Sequence, residues 1–287
     1  MTAKFGPAGN SDSFSATHRS SLDAPKWLAE LGLDCYEYQC GKGVHVGEDT
    51  ARKLGEKAVE AGIRLSLHAP YFINLANPDP ESLAKTIGYI LQSCQAARWM
   101  GAQRIVIHSG ALMKRTRRQA LDTALESLRA VLLACDEAGY GDLTLCPETM
   151  GKINQLGDLD EVLELCGLDE RLLPCVDFGH LYARSLGADD GAEAFERMLD
   201  KMAAALGEDR AQRFHSHFSR IEFTPNGGEK CHRTFADHGG FGPDPAPLMA
   251  LVAKRGWTPT FICESAGTQA EDALTMKTLY QHHLKES

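Results

Sequence analysis

The pentapeptide RLSLH (Arg64–His68), with its echoes RIVIH (Arg104–His108) and LTLCPE (Leu143–Glu148), decides the fold. Each is a short apolar-rich run of strand length that finishes on a histidine or a carboxylate, and the three polar ends fall forty residues apart. That interval accommodates one strand, one helix and two turns. Five further runs read the same way: Lys4–Gly6, Cys35–Gln39, Leu173–Asp177, Phe214–Phe218 and Thr260–Glu264. Helical patterns lie between them, at Asp49–Ala61, Pro80–Met100, Thr116–Ala138, Asp158–Cys166, Gly191–Leu206, Pro247–Arg255 and Gln269–Leu284. In the third of these, Ala120, Leu121, Ala124, Leu128, Val131 and Leu132 keep helical spacing until Gly139 stops the helix. Strand–helix alternation predicts a parallel sheet, and eight units predict an α/β fold closed into a (β/α)₈ barrel, the TIM barrel architecture. No linker-like segment divides residues 1–287, so one domain is expected. No GxGxxG follows the first strand to support an open nucleotide-binding sheet.

Composition narrows the class. The chain has 287 residues, 43% hydrophobic and 24% charged, as in an ordinary globular protein. No run of eighteen apolar residues and no secretory leader is present, so no membrane association is expected. Nine cysteines, an odd number with no CxxC pair, suit a reduced chain in the cytoplasm. A net charge of −9 argues against a broad basic surface, although carboxylates that hold metal ions count as negative in that sum.

The polar strand ends carry the chemistry. His68, His108, Glu148 and Asp177 (with His180 three residues on) end runs in this way, as does Glu264, and the seventh strand carries His215 and His217. A single such residue is usually a hydrogen-bonded core group or a helix cap. Six strand ends of this kind would converge on one barrel mouth, where imidazoles and carboxylates together suit divalent metal ions. Asp12, Glu37 and Glu222 read instead as caps or surface charges.

On these residues the sequence resembles endonuclease IV, a family of the xylose isomerase-like barrels that cleaves DNA at apurinic or apyrimidinic sites. The most specific piece is His68-Ala-Pro-Tyr71-Phe72-Ile-Asn74-Leu75, where the family has a His and then Tyr-Leu-Ile-Asn-Leu. The resemblance implies a DNA-binding wedge at Tyr71 and Phe72. It implies His68 and His108 on a first ion and Glu148, the catalytic carboxylate, bridging to a second ion. That second ion would also be held by Asp177, Glu264 and a histidine of the seventh strand. His180 and His232 would hold a third. His215 is the seventh-strand histidine that aligns with the family pattern, and His217, on the same strand face, is the alternative. The third site departs from the family: Lys230 stands where an Asp is expected in Glu229-Lys230-Cys231-His232, and Glu229 could serve instead.

The implied activity is metal-dependent hydrolysis of the phosphodiester 5′ to an abasic site in duplex DNA, by a monomer. Two or three Zn²⁺ ions are expected, with Mn²⁺ or Fe²⁺ as alternatives. Lys114-Arg115-Thr116-Arg117-Arg118, after the fourth strand, reads either as a phosphate contact or as a solvated helix start. The rival readings are a sugar isomerase or epimerase of the same superfamily, and a non-catalytic metal-binding barrel.

Overall fold

The computed structural model describes residues 2–286. In chain order the strands are β1 (Lys4–Pro7), β2 (Cys35–Gln39), β3 (Arg64–His68), β4 (Arg104–His108), β5 (Thr144–Glu148), β6 (Cys175–Asp177), β7 (His215–Phe218), β8 (Arg220–Thr224), β9 (Gly228–Arg233) and β10 (Thr260–Cys263). The helices are α1 (Asp12–Thr17), α2 (Ala24–Glu30), α3 (Glu48–Ala61), α4 (Pro80–Met100), α5 (Arg117–Glu137), α6 (Leu159–Cys166), α7 (Phe178–Arg184), α8 (Gly191–Leu206), α9 (Glu208–Ala211), α10 (Pro245–Arg255) and α11 (Gln269–Glu286). Eight parallel strands pair in the order β1-β10-β7-β6-β5-β4-β3-β2, and helices alternate with them around the outside. The barrel expected from the strand–helix alternation is therefore the fold. Among the described residues no helix is long and apolar enough to cross a membrane.

The two ends of that order, β1 and β2, meet through a parallel bridge between Ala8 and Glu37, and the Gly9 amide donates to the Glu37 carbonyl at 2.9 Å. This approach is close enough to require glycine: a Cβ on Gly6 would lie 1.8 Å from the Cys35 carbonyl oxygen. Between strands and helices sits an aromatic-rich core that includes Phe5, Phe214, Phe218, Phe261 and Trp257. Local signals set the helix ends. Asp79 caps α4 by accepting from the Ser82 amide, Pro80 opens it, and Gly101 closes it at φ 72°. Capping boxes start α5 (Thr116 with Gln119) and α6 (Asp158 with Glu161).

Two features that shape the mouth lie outside the sequence expectations. Helix α7 begins directly after β6, with Asp177 as its cap. The antiparallel hairpin β8–β9 is inserted between β7 and α10.

Candidate metal centre

Parallel strands of one barrel deliver their C-terminal ends to one mouth. Glu148 stands at the centre of this mouth, 1% exposed. Its Oε2 lies 3.2 Å from His68 Nε2 and 3.3 Å from His108 Nε2. Its Oε1 lies 3.0 Å from His217 Nδ1 and 3.5 Å from His180 Nδ1. Glu264 Oε2 approaches His217 Nδ1 at 3.6 Å. Register accounts for part of this: His108 pairs with Glu148, and Asp177 with His217. His215 pairs with Cys175, two residues deeper along β7, so the donor that reaches Glu148 from this strand is His217.

Backbone and side-chain acceptors orient the rings. His68 Nδ1 sits 2.7 Å from the Ala69 carbonyl and His108 Nδ1 3.0 Å from that of Tyr71. His180 Nδ1 is 2.9 Å from the Thr149 carbonyl, and His232 Nδ1 is 2.7 Å from Ser219 Oγ. A proton placed on Nδ1 toward a carbonyl leaves Nε2 as the free ligand atom, the usual arrangement behind metal-binding histidines.

The third group depends on the hairpin. Phe223 pairs with Glu229 and Glu222 with Cys231, so Lys230 is an extra residue in a β-bulge. Residues 229 and 232 are three apart and would face opposite sides of a regular strand. The bulge turns both inward. Glu229 then lies 3.5 Å from His180 Nε2 and 3.9 Å from His232 Nε2. Lys230 points outward and pairs with Glu222 at 2.5 Å. Gly151 leaves the space Glu229 needs, because a Cβ there would come within 2.6 Å of Glu229 Cβ and 2.9 Å of Oε2.

The buried acids and imidazoles of the cluster strongly perturb one another. Burial alone would raise the Glu148 carboxyl, but His217, His108 and His68 outweigh it and hold it well below the usual carboxylate range. Burial pushes the Asp177 carboxyl up; His180 opposes this, while Glu264 and Glu148 reinforce it. Burial lowers His180, yet Asp177, Glu229, Glu148 and Glu264 raise it to about 9. One Asp177 oxygen accepts from the His180 amide at 2.7 Å; the other, Oδ2, is buried with no hydrogen-bond partner and lies 3.3 Å from His180 Nδ1. A buried carboxylate oxygen without a hydrogen bond is costly unless a positive charge stands close to it, which the His180 ring or a bound cation would supply. Four groups each bring their donor atoms within 4.8 Å of one another: His68, Glu148 and His217; Glu148, Asp177, His217 and Glu264; His180, His232 and Glu264; and, deeper in the barrel, Cys175, His215 and His217. This donor set fits divalent metal ions.

Glu37 is the residue that sequence reasoning missed. Read as a cap or a surface charge, it is fully buried inside the barrel, hydrogen-bonded to His215 at 2.8 Å and His217 at 2.9 Å. The alternation of β2 carried a signal, since Cys35, Glu37 and Gln39 share one face and Gln39 is in register with His68. Glu222 is a surface ion-pair partner, of Lys230 and Arg233, and Asp12 opens α1.

At the rim, Tyr71 and Phe72 are 50% and 51% exposed, which removes them from the core. Tyr71 stacks on His108, with ring centroids 5.5 Å apart, and its hydroxyl donates to Gln39. Phe72 makes an edge contact with Tyr89, ring centroids 4.7 Å apart. The basic stretch after β4 is largely committed elsewhere. Arg115 bonds the Ala76 carbonyl and Thr123, Arg117 pairs with Glu161, and Arg118 pairs with Asp122 and Glu164. These arginines brace loops and α6 and are not free phosphate contacts. The mouth opens into a cleft of about 690 Å³. Lys152 is the one lysine or arginine lining it among the described residues, and Asn10, Gln39, Gln155 and Gln269 supply amides.

A family profile described as a xylose isomerase-like TIM barrel matches residues 25–283. An uncharacterized protein of Methanocaldococcus jannaschii is 32% identical over 250 residues, covering 87% of this chain and 88% of that one. The probable endonuclease 4 of Mycoplasma pneumoniae is 32% identical over 141 residues; the match spans about half of each protein, 47% of this chain and 48% of the enzyme. Among solved structures, a D-tagatose 3-epimerase-like protein superposes with a TM-score of 0.70 at 17% identity, covering 99% of this chain and 97% of that one. Endonuclease IV from Thermus thermophilus gives 0.64 at 18% identity, covering 99% and 100%. At these identities the structural likeness is one of fold.

Proposed function

The chain belongs to the xylose isomerase-like TIM barrel family, and from that premise we propose that it is a metal-dependent endonuclease cutting DNA 5′ to abasic sites. The observation that carries this reading is the third donor group. His180 and His232, grouped with Glu264 and approached by the bulge-presented Glu229, adjoin the two groups that share Glu148, and this supports a three-ion centre over the one or two ions an isomerase of this fold needs.

In this reading His68 and His108, through Nε2, would hold a first ion, with Glu148 as a carboxylate shared with a second. Asp177, Glu264 and His217, rather than His215, would complete the ligands of the second ion. His180, His232 and Glu229 would hold the third. Bound divalent ions, Zn²⁺ by donor type, supply Lewis acidity toward water and phosphate oxygens. Glu148 is held well below the usual carboxylate range, so it is ionised at neutral pH and helps orient the attacking water. The four carboxylates Glu148, Asp177, Glu229 and Glu264 are acids whose negative charge divalent ions held there would offset, favouring a phosphodiester in the cleft. Lys152 adds one cation to its wall. Tyr71 and Phe72, held at the rim, enter the duplex beside the abasic nucleotide.

One observation favours a second reading. Gln155 Oε1 and Gln269 Oε1 are buried and unpartnered beside the cleft, as hydroxyl-binding groups for a sugar would be. Incubation with a duplex carrying one abasic site, with zinc or manganese supplied, separates the two. Incision to a 3′-hydroxyl and a 5′ deoxyribose phosphate is expected, and Glu148→Gln should abolish it with the fold intact. Confirmed DNA binding without incision, together with epimerisation of a ketose, would replace the nuclease with the epimerase.

A further inference from the structure

Beneath the metal-type donors lies a second polar layer built around Glu37. Its four acceptor positions are all filled. Oε1 accepts from His217 Nε2 at 2.9 Å and Gln39 Nε2 at 3.2 Å, and Oε2 accepts from Ser66 Oγ at 2.8 Å and His215 Nε2 at 2.8 Å. Glu37 and both histidines are 0% exposed. A carboxylate in so dry a place orders its donors strongly, because no water competes for its oxygens. Both imidazoles must therefore carry hydrogen on Nε2. For His217 this leaves Nδ1 as the ligand atom, facing Glu148 and Glu264. For His215 it leaves Nδ1 buried without a partner; a donor atom of its ring lies within 4.8 Å of Cys175 and His217, a buried group that shares His217 with the mouth but holds none of the mouth carboxylates. The layer also reaches the rim, since Gln39 donates to Glu37 and accepts from the Tyr71 hydroxyl at 2.9 Å.

We infer that Glu37 and His215 are positioning residues: Glu37 fixes His217 in the tautomer that presents Nδ1 to the metal cluster, and His215 braces Glu37 and binds no ion itself. The inference rests on the reading of His217 as a metal donor, but not on which reaction the cluster performs. Glu37 does more than close the barrel: its backbone carbonyl makes the closing bond to Gly9, whereas its side chain serves the histidines. A carboxylate behind a metal-bound histidine raises the ligand's basicity, and its loss weakens metal binding by about 10–100-fold.

The test is zinc binding by the full chain, read as ions per chain and as affinity in competition with a chromophoric chelator. Melting of each chelator-treated variant checks the fold. Glu37→Gln should keep the wild-type number of ions and bind one of them about 10–100-fold more weakly. His217→Ala should bind one ion fewer. His215→Gln, whose amide nitrogen can replace Nε2 as the donor to Glu37, should match wild type in number and nearly in affinity, and His215→Ala should keep the number but lose affinity. Should Glu37→Gln fail to fold, Ser66→Ala removes one of the four donors and should weaken zinc in the same direction by less. Unchanged affinity in Glu37→Gln, or in Ser66→Ala where that variant replaces it, would overturn the inference alone, as would His215→Gln losing an ion. A wild-type chain that binds no zinc, or a His217→Ala chain that loses none, would overturn the metal reading as well.

Discussion

Replacing Glu229 should remove an ion, and replacing its neighbour Lys230 should not. The two residues are adjacent in sequence and face opposite sides of the hairpin, and the bulge is what brings Glu229 to the side of His232. Glu229 is the carboxylate between His180 Nε2 at 3.5 Å and His232 Nε2 at 3.9 Å. Glu229→Ala leaves the two imidazole nitrogens without the carboxylate between them. The loss should exceed the roughly hundredfold limit seen when only an outer partner is removed, which is more than about 2.8 kcal/mol of binding free energy. Lys230 is 55% exposed at its side chain and pairs with Glu222, which Arg233 also contacts. An exposed pair of this kind contributes about 0–1 kcal/mol, so Lys230→Ala should leave metal content unchanged. Gly151→Ala adds a geometric control: its Cβ would displace the Glu229 carboxylate and weaken the same ion without deleting a donor. Zinc per chain after dialysis against a chelator of known affinity reads all three variants. An ion lost from Lys230→Ala, or a wild-type zinc content and affinity in Glu229→Ala, would refute the bulge argument.

Three further outcomes are expected. Phe72→Ala should cost about 1–3 kcal/mol of affinity for an abasic duplex, the range of one base–aromatic stack, with zinc content unaltered; unchanged fluorescence anisotropy titrations would remove Phe72 from the DNA interface. Gly6→Ala forces a Cβ into the Cys35 carbonyl at the barrel seam; it should cost about 3 kcal/mol or more and lower the melting temperature by roughly 6–12 °C, and a melting temperature equal to wild type would contradict the closure described. His180, raised to about 9 by Asp177, Glu229 and their neighbours against the effect of burial, adds stability to the metal-free chain. That contribution is full below the ordinary histidine value near 6.5 and is lost as pH rises through about 9. Chelator-treated protein should therefore melt at a lower temperature at pH 9 than at pH 6.5, and the reverse order would refute the assignment.

The strands and helices were legible because their causes are local. Apolar runs of strand length, helical spacing in Thr116–Ala138, and stops such as Gly101 each act within a few residues, and β3, β4 and α4 follow their sequence bounds. The strand-end candidates His68, His108, Glu148, Asp177 and Glu264 were legible for a related reason. Once eight parallel strands are inferred, their C-terminal ends must converge whatever the details of packing. Tertiary structure alone decided the rest. Glu37 looks like a surface acid until the closing of β1 on β2 removes its water. His215 and His217 share a strand face, and only pairing with β6 and β10 sets which of them stands level with Asp177. Arg117 and Arg118 look free until α6 brings Glu161 and Glu164 against them. Glu229 faces inward only because one extra residue in β9 reverses the alternation. Alternation and spacing are properties of a segment, so the sequence states them directly. Depth, charge partner and bulge register are relations between segments far apart in the chain, and they exist only after the barrel has closed.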